Sequence, residues 1–186
     1  MLKKEMTKIE IEKELKGQGD YVLIDNITRF IKENPAIDIK RFVYLKLVEV
    51  YEKRNMFIDA AEVYNKLIEI SLIEKNKVEY LIKATECYVK AGFFDKADLA
   101  LKKAVSEANI PERSKITLSI KEFYKNQAQL YEKEKRRQKA VQTYEKMLTM
   151  SYLDFEKEEI NKKLLQLYKE LGMVEQYMVL NKKLNG

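Results

Sequence analysis

Three stretches of this chain repeat one pattern, and that repetition limits the fold more than any other feature. The first runs from Tyr44-Leu45-Lys46-Leu47 through Tyr51, Asn55, Phe57, Ala60, Tyr64 and Leu67. The second passes from Leu81 through Ala84, Tyr88, Gly92, Phe94, Ala97, Leu101 and Ala104, and the third from Tyr124 through Ala128, Tyr131, Ala140, Tyr144 and Met147. In each, apolar residues recur three and four apart over about a dozen residues, a polar break follows, and the periodicity resumes from a small residue. This predicts a helix, a tight turn and an antiparallel helix. Ala60, Ala97 and Ala140 are expected where the two helices of a hairpin cross closely, since a large side chain there would hold the axes apart. Tyr51, Tyr88 and Tyr131 are expected to fill the wider gap at the other end of the first helix.

Composition agrees. Among 186 residues there are 5 glycines and 2 prolines, too few to turn the many corners of a sheet protein. Charged residues at 35% beside 46% hydrophobic suit amphipathic helices with one apolar stripe and one solvated face, and argue against disorder. The chain is long enough to bury a continuous core without disulfide or metal staples. A formal charge of +6 is a mild excess that favours acidic partners. The N-terminus, Met1-Leu2-Lys3-Lys4-Glu5-Met6, leads into charged residues, and no uncharged run approaches the ~18 residues of a membrane span. A cytoplasmic location is expected.

The segment Lys90-Ala91-Gly92-Phe93-Phe94-Asp95-Lys96-Ala97 places glycine, aromatic and alanine at the spacing of the tetratricopeptide repeat, and the chain resembles that family. The resemblance implies an all-α solenoid of about five antiparallel hairpins in a right-handed superhelix, forming one domain over 1–186. Well-formed repeats are expected at about 40–74, 77–110 and 111–153. A degenerate C-terminal hairpin, 156–186, keeps Gly172 but has Tyr177 at the small position; a degenerate N-terminal hairpin, 1–36, keeps Gly19-Asp20-Tyr21 as its turn, with Ile24 at the small position. Altered end copies suit a solenoid, whose terminal repeats meet water on one side. The spacing is wider than the family's: Ala60 to Ala97 is 37 residues, Ala97 to Ala140 is 43, and Ala140 to Tyr177 is 37. Longer helices are implied, with Pro111 in a first helical turn, periodicity from about Ile116 to Tyr131, and Pro35 at the junction of the first two hairpins. Stretched hairpins of this kind are also similar to the soluble attachment proteins of membrane fusion.

The inventory for catalysis is thin. Histidine is absent, so no Ser-His or Cys-His pair can form, and no Gly-rich phosphate loop is present. The expectation is no catalytic residue, no metal and no cofactor. Cys87, the one cysteine, is read as an inert core thiol. Carboxylate pairs such as Glu158-Glu159 are read as solvated helix faces.

The family resemblance implies a concave groove lined by the first helix of each hairpin. Its residues would be Phe42, Leu45, Glu49 and Glu52; then Glu79, Ile82, Glu86 and Val89; then Glu122, Lys125, Gln129 and Glu132; and finally Glu159, Lys162, Gln166 and Lys169. The first half would be acidic with apolar inserts and the second would gain lysines and amides, although Phe42, Leu45 and Ile82 would equally serve to pack the preceding hairpin. The family's carboxylate clamp for chaperone tails is missing from the first two full repeats, and Lys125, Asn126 and Lys163 are a partial remnant. The expected function is therefore a scaffold or adaptor that holds a peptide or helix of a protein partner, with homo-oligomers through an end repeat also allowed. The alternative is attachment to nucleic acid or an anionic membrane through the basic turn Lys133, Lys135, Arg136, Arg137 and Lys139. Both arginines are expected to point into water, with Arg137 replacing an aromatic turn residue.

Overall fold

A computed structural model describes residues 2–185, with the side chain of Asn185 excepted. Among the described residues there is no strand, and ten helices follow one another: α1 Lys8–Leu15, α2 Asp20–Lys32, α3 Ile37–Lys53, α4 Phe57–Ile70, α5 Glu74–Ala91, α6 Phe94–Glu107, α7 Ile110–Lys133, α8 Arg137–Leu148, α9 Asp154–Glu170 and α10 Val174–Asn185. The fold is all-α, compatible with a helical repeat, and no helix among the described residues is long and apolar enough to cross a membrane. The chain falls into two compact units, Met1–Arg113 and Ser114–Gly186.

Four of the helix pairs close on the same turn. In α3/α4 the Met56 amide donates to the Tyr51 carbonyl at 2.8 Å and the Asn55 amide to Glu52 at 3.0 Å. In α5/α6 the matching bonds are Phe93 to Tyr88 at 2.9 Å and Gly92 to Val89 at 3.0 Å. In α7/α8 they are Arg136 to Tyr131 at 2.8 Å and Lys135 to Glu132 at 3.0 Å, and in α9/α10 Met173 to Tyr168 at 2.9 Å and Gly172 to Lys169 at 3.3 Å. This pair of backbone bonds is the Schellman closure, which satisfies carbonyls left over at a helix end and requires one left-handed residue. That residue is Asn55 (φ 57°), Gly92 (84°), Lys135 (59°) or Gly172 (68°). Each repeated tyrosine thus has a backbone task beside its packing: its carbonyl anchors the turn.

The first pair turns differently. Gly17 is its left-handed residue, and Gly19 only precedes α2, so the turn lies two residues earlier than the sequence reading placed it. Thr7 and Glu10 form a reciprocal cap at the start of α1, with the Thr7 amide donating to the Glu10 carboxylate at 2.8 Å.

Ala60, Ala97 and Ala140 are buried as the close-crossing reading requires, whereas Tyr177 is only partly covered. The wide spacing between Ala97 and Ala140 is taken up by α7, 24 residues long. It starts at Ile110, as the expected place of Pro111 in a first turn requires, and the Asn109 side chain accepts the Glu112 amide at 3.1 Å and caps it. Pro111 falls in its first turn, and Pro35 is buried between α2 and α3.

In two hairpins, α3/α4 and α7/α8, the second helix is tied to the first helices on both sides. The Tyr64 hydroxyl donates to Glu52 on α3 at 2.9 Å, and Asn65 donates to the Tyr88 hydroxyl on α5 at 3.0 Å. In the second unit the Tyr144 hydroxyl donates to Glu132 on α7, and the Tyr168 hydroxyl on α9 donates to Glu145 on α8 at 2.8 Å. Burial and the neighbouring carboxylates raise these phenols far above their ordinary range, so they remain donors.

A left-handed residue with a side chain is strained, and a glycine in that position is not. Lys135→Gly is expected to stabilise the chain by about 0.5–1 kcal/mol, and Gly92→Ala to destabilise it by about 1 kcal/mol through backbone strain alone, since no atom lies within 4 Å of the added carbon. Thermal unfolding followed by circular dichroism checks both signs.

Candidate functional site

In the first unit the groove positions of α3 and α5 are largely engaged by the chain itself. Glu49 is exposed, but Lys46 lies 3.5 Å from its carboxylate and 3.3 Å from Glu12 on α1. Phe42 is half-buried, with the Lys46 ammonium 5.8 Å from its ring centre. Glu52 accepts the Tyr64 hydroxyl, and Glu86 holds Lys83 at 3.0 Å. Leu45 and Glu79 are exposed and Ile82 is half-buried. Val89 is 0% exposed, so it packs in the core and offers nothing to a groove; its place in the last turn of α5 rotates it inward. The expected acidic face is therefore mostly neutralised from within. A 550 Å³ hollow does open between α1, α2 and α3, lined by Leu15, Leu23, Ile27 and Val50 with Glu12, Lys16, Lys46 and Glu49 at its edge.

The second unit holds the better-formed site. A pocket of about 410 Å³ opens between α7 and α9 over a floor of Tyr144, Met147, Tyr152 and Ile160. Five of the expected groove residues converge on it, Lys125 and Gln129 from α7 and Glu159, Lys162 and Gln166 from α9, together with Glu156 and Lys163. Lys169 does not line it. Several of the polar groups have partners: Lys162 pairs with Glu158 at 2.7 Å, Lys163 with Glu132 at 3.4 Å, and Gln166 donates to Glu170 at 3.0 Å. Glu156 accepts the Leu153 amide at 2.8 Å and so serves the start of α9. Lys125 and Gln129 have no intramolecular hydrogen bond or ion pair and are available to a ligand.

The floor was hidden from the pattern. Tyr144 and Met147 read as core, and they are core, yet they also surface at the pocket base. Tyr152 sits in the loop before α9, is buried, and donates its hydroxyl to the Lys121 carbonyl at 3.0 Å with the Lys121 ammonium 4.9 Å from its ring centre. The available signal was an aromatic at a loop position where the preceding module has Leu72.

That comparison holds more widely. Tyr44–Gly92 and Tyr124–Gly172 are the same three-helix module 80 residues apart, sharing Tyr51/Tyr131, Glu52/Glu132, Ala60/Ala140, Tyr64/Tyr144, Lys83/Lys163, Tyr88/Tyr168 and Gly92/Gly172. The helix-to-helix ties are kept, while Leu45, Glu49, Ile82 and Glu86 become Lys125, Gln129, Lys162 and Gln166. Each module keeps its frame and changes its face.

The basic turn differs from expectation. The Arg136 guanidinium lies 5.1 Å from the Tyr131 ring centre and 3.2 Å from Glu134, taking the place that Met56 and Phe93 hold in the other turns. Arg137 is half-buried and paired with Glu170 at 2.5 Å. Arg136 stays exposed, as expected, with its guanidinium stacked where the other turns have an apolar contact, whereas Arg137 is half-buried against Glu170. The first module solves the second contact with inverted chemistry, the Lys90 ammonium lying 5.1 Å from the ring centre of Phe57. Lys139 also approaches Tyr131, at 5.8 Å, leaving Lys133 and Lys135 as the exposed cations without a partner.

Cys87 is 1% exposed, and burial together with the Glu52 carboxylate 3.8 Å away pushes its thiol up to about 12. Since only the thiolate attacks, thiol reagents at pH 8 are expected to modify the folded chain at least about a thousandfold more slowly than free cysteine. The rate should climb about tenfold per pH unit until the thiol titrates, and unfolding in guanidinium should abolish the protection. Comparison with protein-family models and with curated proteins finds no match to this chain.

Proposed function

We propose that this chain is a non-catalytic interaction scaffold of tetratricopeptide-like construction, and that the pocket between α7 and α9 holds a peptide or helix from a partner protein. The observation that carries this reading is the pocket itself: apolar floor, polar walls from two helices, and the unpaired Lys125 and Gln129 at one side. Its volume of about 410 Å³ falls in the range of sites that bury a few side chains of a ligand. The floor would supply contact area, while cation and amide would fix orientation and register.

The alternative through nucleic acid or anionic membrane draws less support, because Arg136 and Arg137 are already committed to Tyr131, Glu134 and Glu170. Binding by the turn would rest on Lys133 and Lys135, too few for strong phosphate neutralisation.

Selection of displayed random peptides on the purified chain, followed by anisotropy titration of the winners, tests the scaffold reading. Combined Lys125→Glu and Gln129→Leu is expected to weaken the selected peptides about tenfold, or 1.4 kcal/mol, whereas Lys169→Glu outside the pocket should change affinity less than about twofold. Peptides that bind the double variant as they bind the parent would place the ligand surface elsewhere.

A further inference from the structure

No residue of α10 with a described side chain is buried, although the helix carries an apolar stripe. Val174 is 69% exposed and Met178 is 62% exposed, one helical turn apart on one face, with Tyr177, Leu180 and Leu184 directed to another and half-covered. α9 is the helix α10 packs on, so a flank of α10 faces water.

The register of the repeat gives that flank its counterparts on the earlier helices. Aligned on Ala60, Ala140 and Tyr177, Met178 corresponds to Ala61 on α4 and Val141 on α8. Those two are 0% and 1% exposed. On each helix the next residue of the stripe is also buried, Tyr64 against Tyr80 of α5 with ring centres 6.3 Å apart, and Tyr144 at the pocket shared with α9. At this position α4 and α8 are buried, whereas Val174 and Met178 of α10 are exposed and a half-buried Asn181 stands where α4 and α8 have the tyrosine.

The charges beside the stripe select an occupant. Glu175 and Lys182 lie seven residues apart on the same flank, at opposite ends of α10, and neither has a hydrogen bond or ion pair. A second α10 running antiparallel, related by a two-fold axis near Met178, places Glu175 opposite the other copy's Lys182 and does so twice. Met178 then meets its own counterpart, and Val174 packs toward the far end of the stripe. A parallel copy would instead oppose like charges. We infer that α10 is a homodimerisation helix, pairing antiparallel with α10 of a second copy of this chain. The contact is one helix face, small beside the ~800 Å² per partner of a standard interface, so association is weak and concentration-dependent, on the order of 10–100 μM.

Sedimentation velocity of the whole chain from about 5 μM to about 500 μM brackets that range. The parent should shift from monomer toward twice the monomer mass, and Met178→Glu should remain monomeric with an unchanged helical spectrum. Glu175→Lys and Lys182→Glu should each weaken the dimer about tenfold, and the two together should restore it, because the two-fold recreates both pairs in reverse. A parent that stays monomeric throughout, a dimer that survives Met178→Glu, or a double exchange that fails to rescue would each overturn the inference. None of these outcomes depends on the peptide pocket.

Discussion

The backbone bond that returns from the turn to a tyrosine carbonyl sets the exit direction of the second helix in four hairpins, and the packing around it follows from that direction. Once Tyr51, Tyr88, Tyr131 and Tyr168 have received this bond, the second helix can only fold back along the first. In three of the four hairpins it then meets an alanine at the crossing, and the axes approach. The tyrosine joins two levels of structure, its carbonyl closing the turn and its ring packing the interior. That double duty accounts for a periodicity strong enough to read by eye.

The two copies of the three-helix module separate what holds the fold from what faces outward. Tyr64 with Glu52 and Tyr144 with Glu132 are retained 80 residues apart, as are the left-handed turn positions. Loss of either partner would leave a poorly solvated polar group unpaired, so these ties change reluctantly. Residues one turn away on the open face have no such constraint and exchange apolar or acidic side chains for basic ones and amides. The contact at the turn shows a middle case: Phe57 beneath Lys90 has become Arg137 beside Glu170, two substitutions that make sense only together.

Most of the hairpin boundaries were legible because helix periodicity and the small crossing residues are local signals. The face of α7 and α9 was legible for the same reason, and Lys125, Gln129, Lys162 and Gln166 do meet at one pocket. What could not be read is what depends on rotation within a helix or on contacts distant in sequence. Val89 belongs to the core because it falls in the last turn of α5, where the face drifts inward. The partners of Arg136 and Arg137, Tyr131 and Glu170, are visible only once the turn is closed, and Arg137 is half-buried for that reason. The acidic face of α3 and α5 dissolved for a similar reason, its carboxylates being matched by Lys46, Lys83 and a tyrosine hydroxyl.

The burial of Cys87 beside Glu52 bears on how this protein can be controlled. With its thiol lifted to about 12 and no histidine anywhere in the chain, neither imidazole nor thiol is available as a proton-operated switch near neutral pH. Control of the face offered to a ligand falls instead to ionic strength and local abundance, which act directly on its exposed charges.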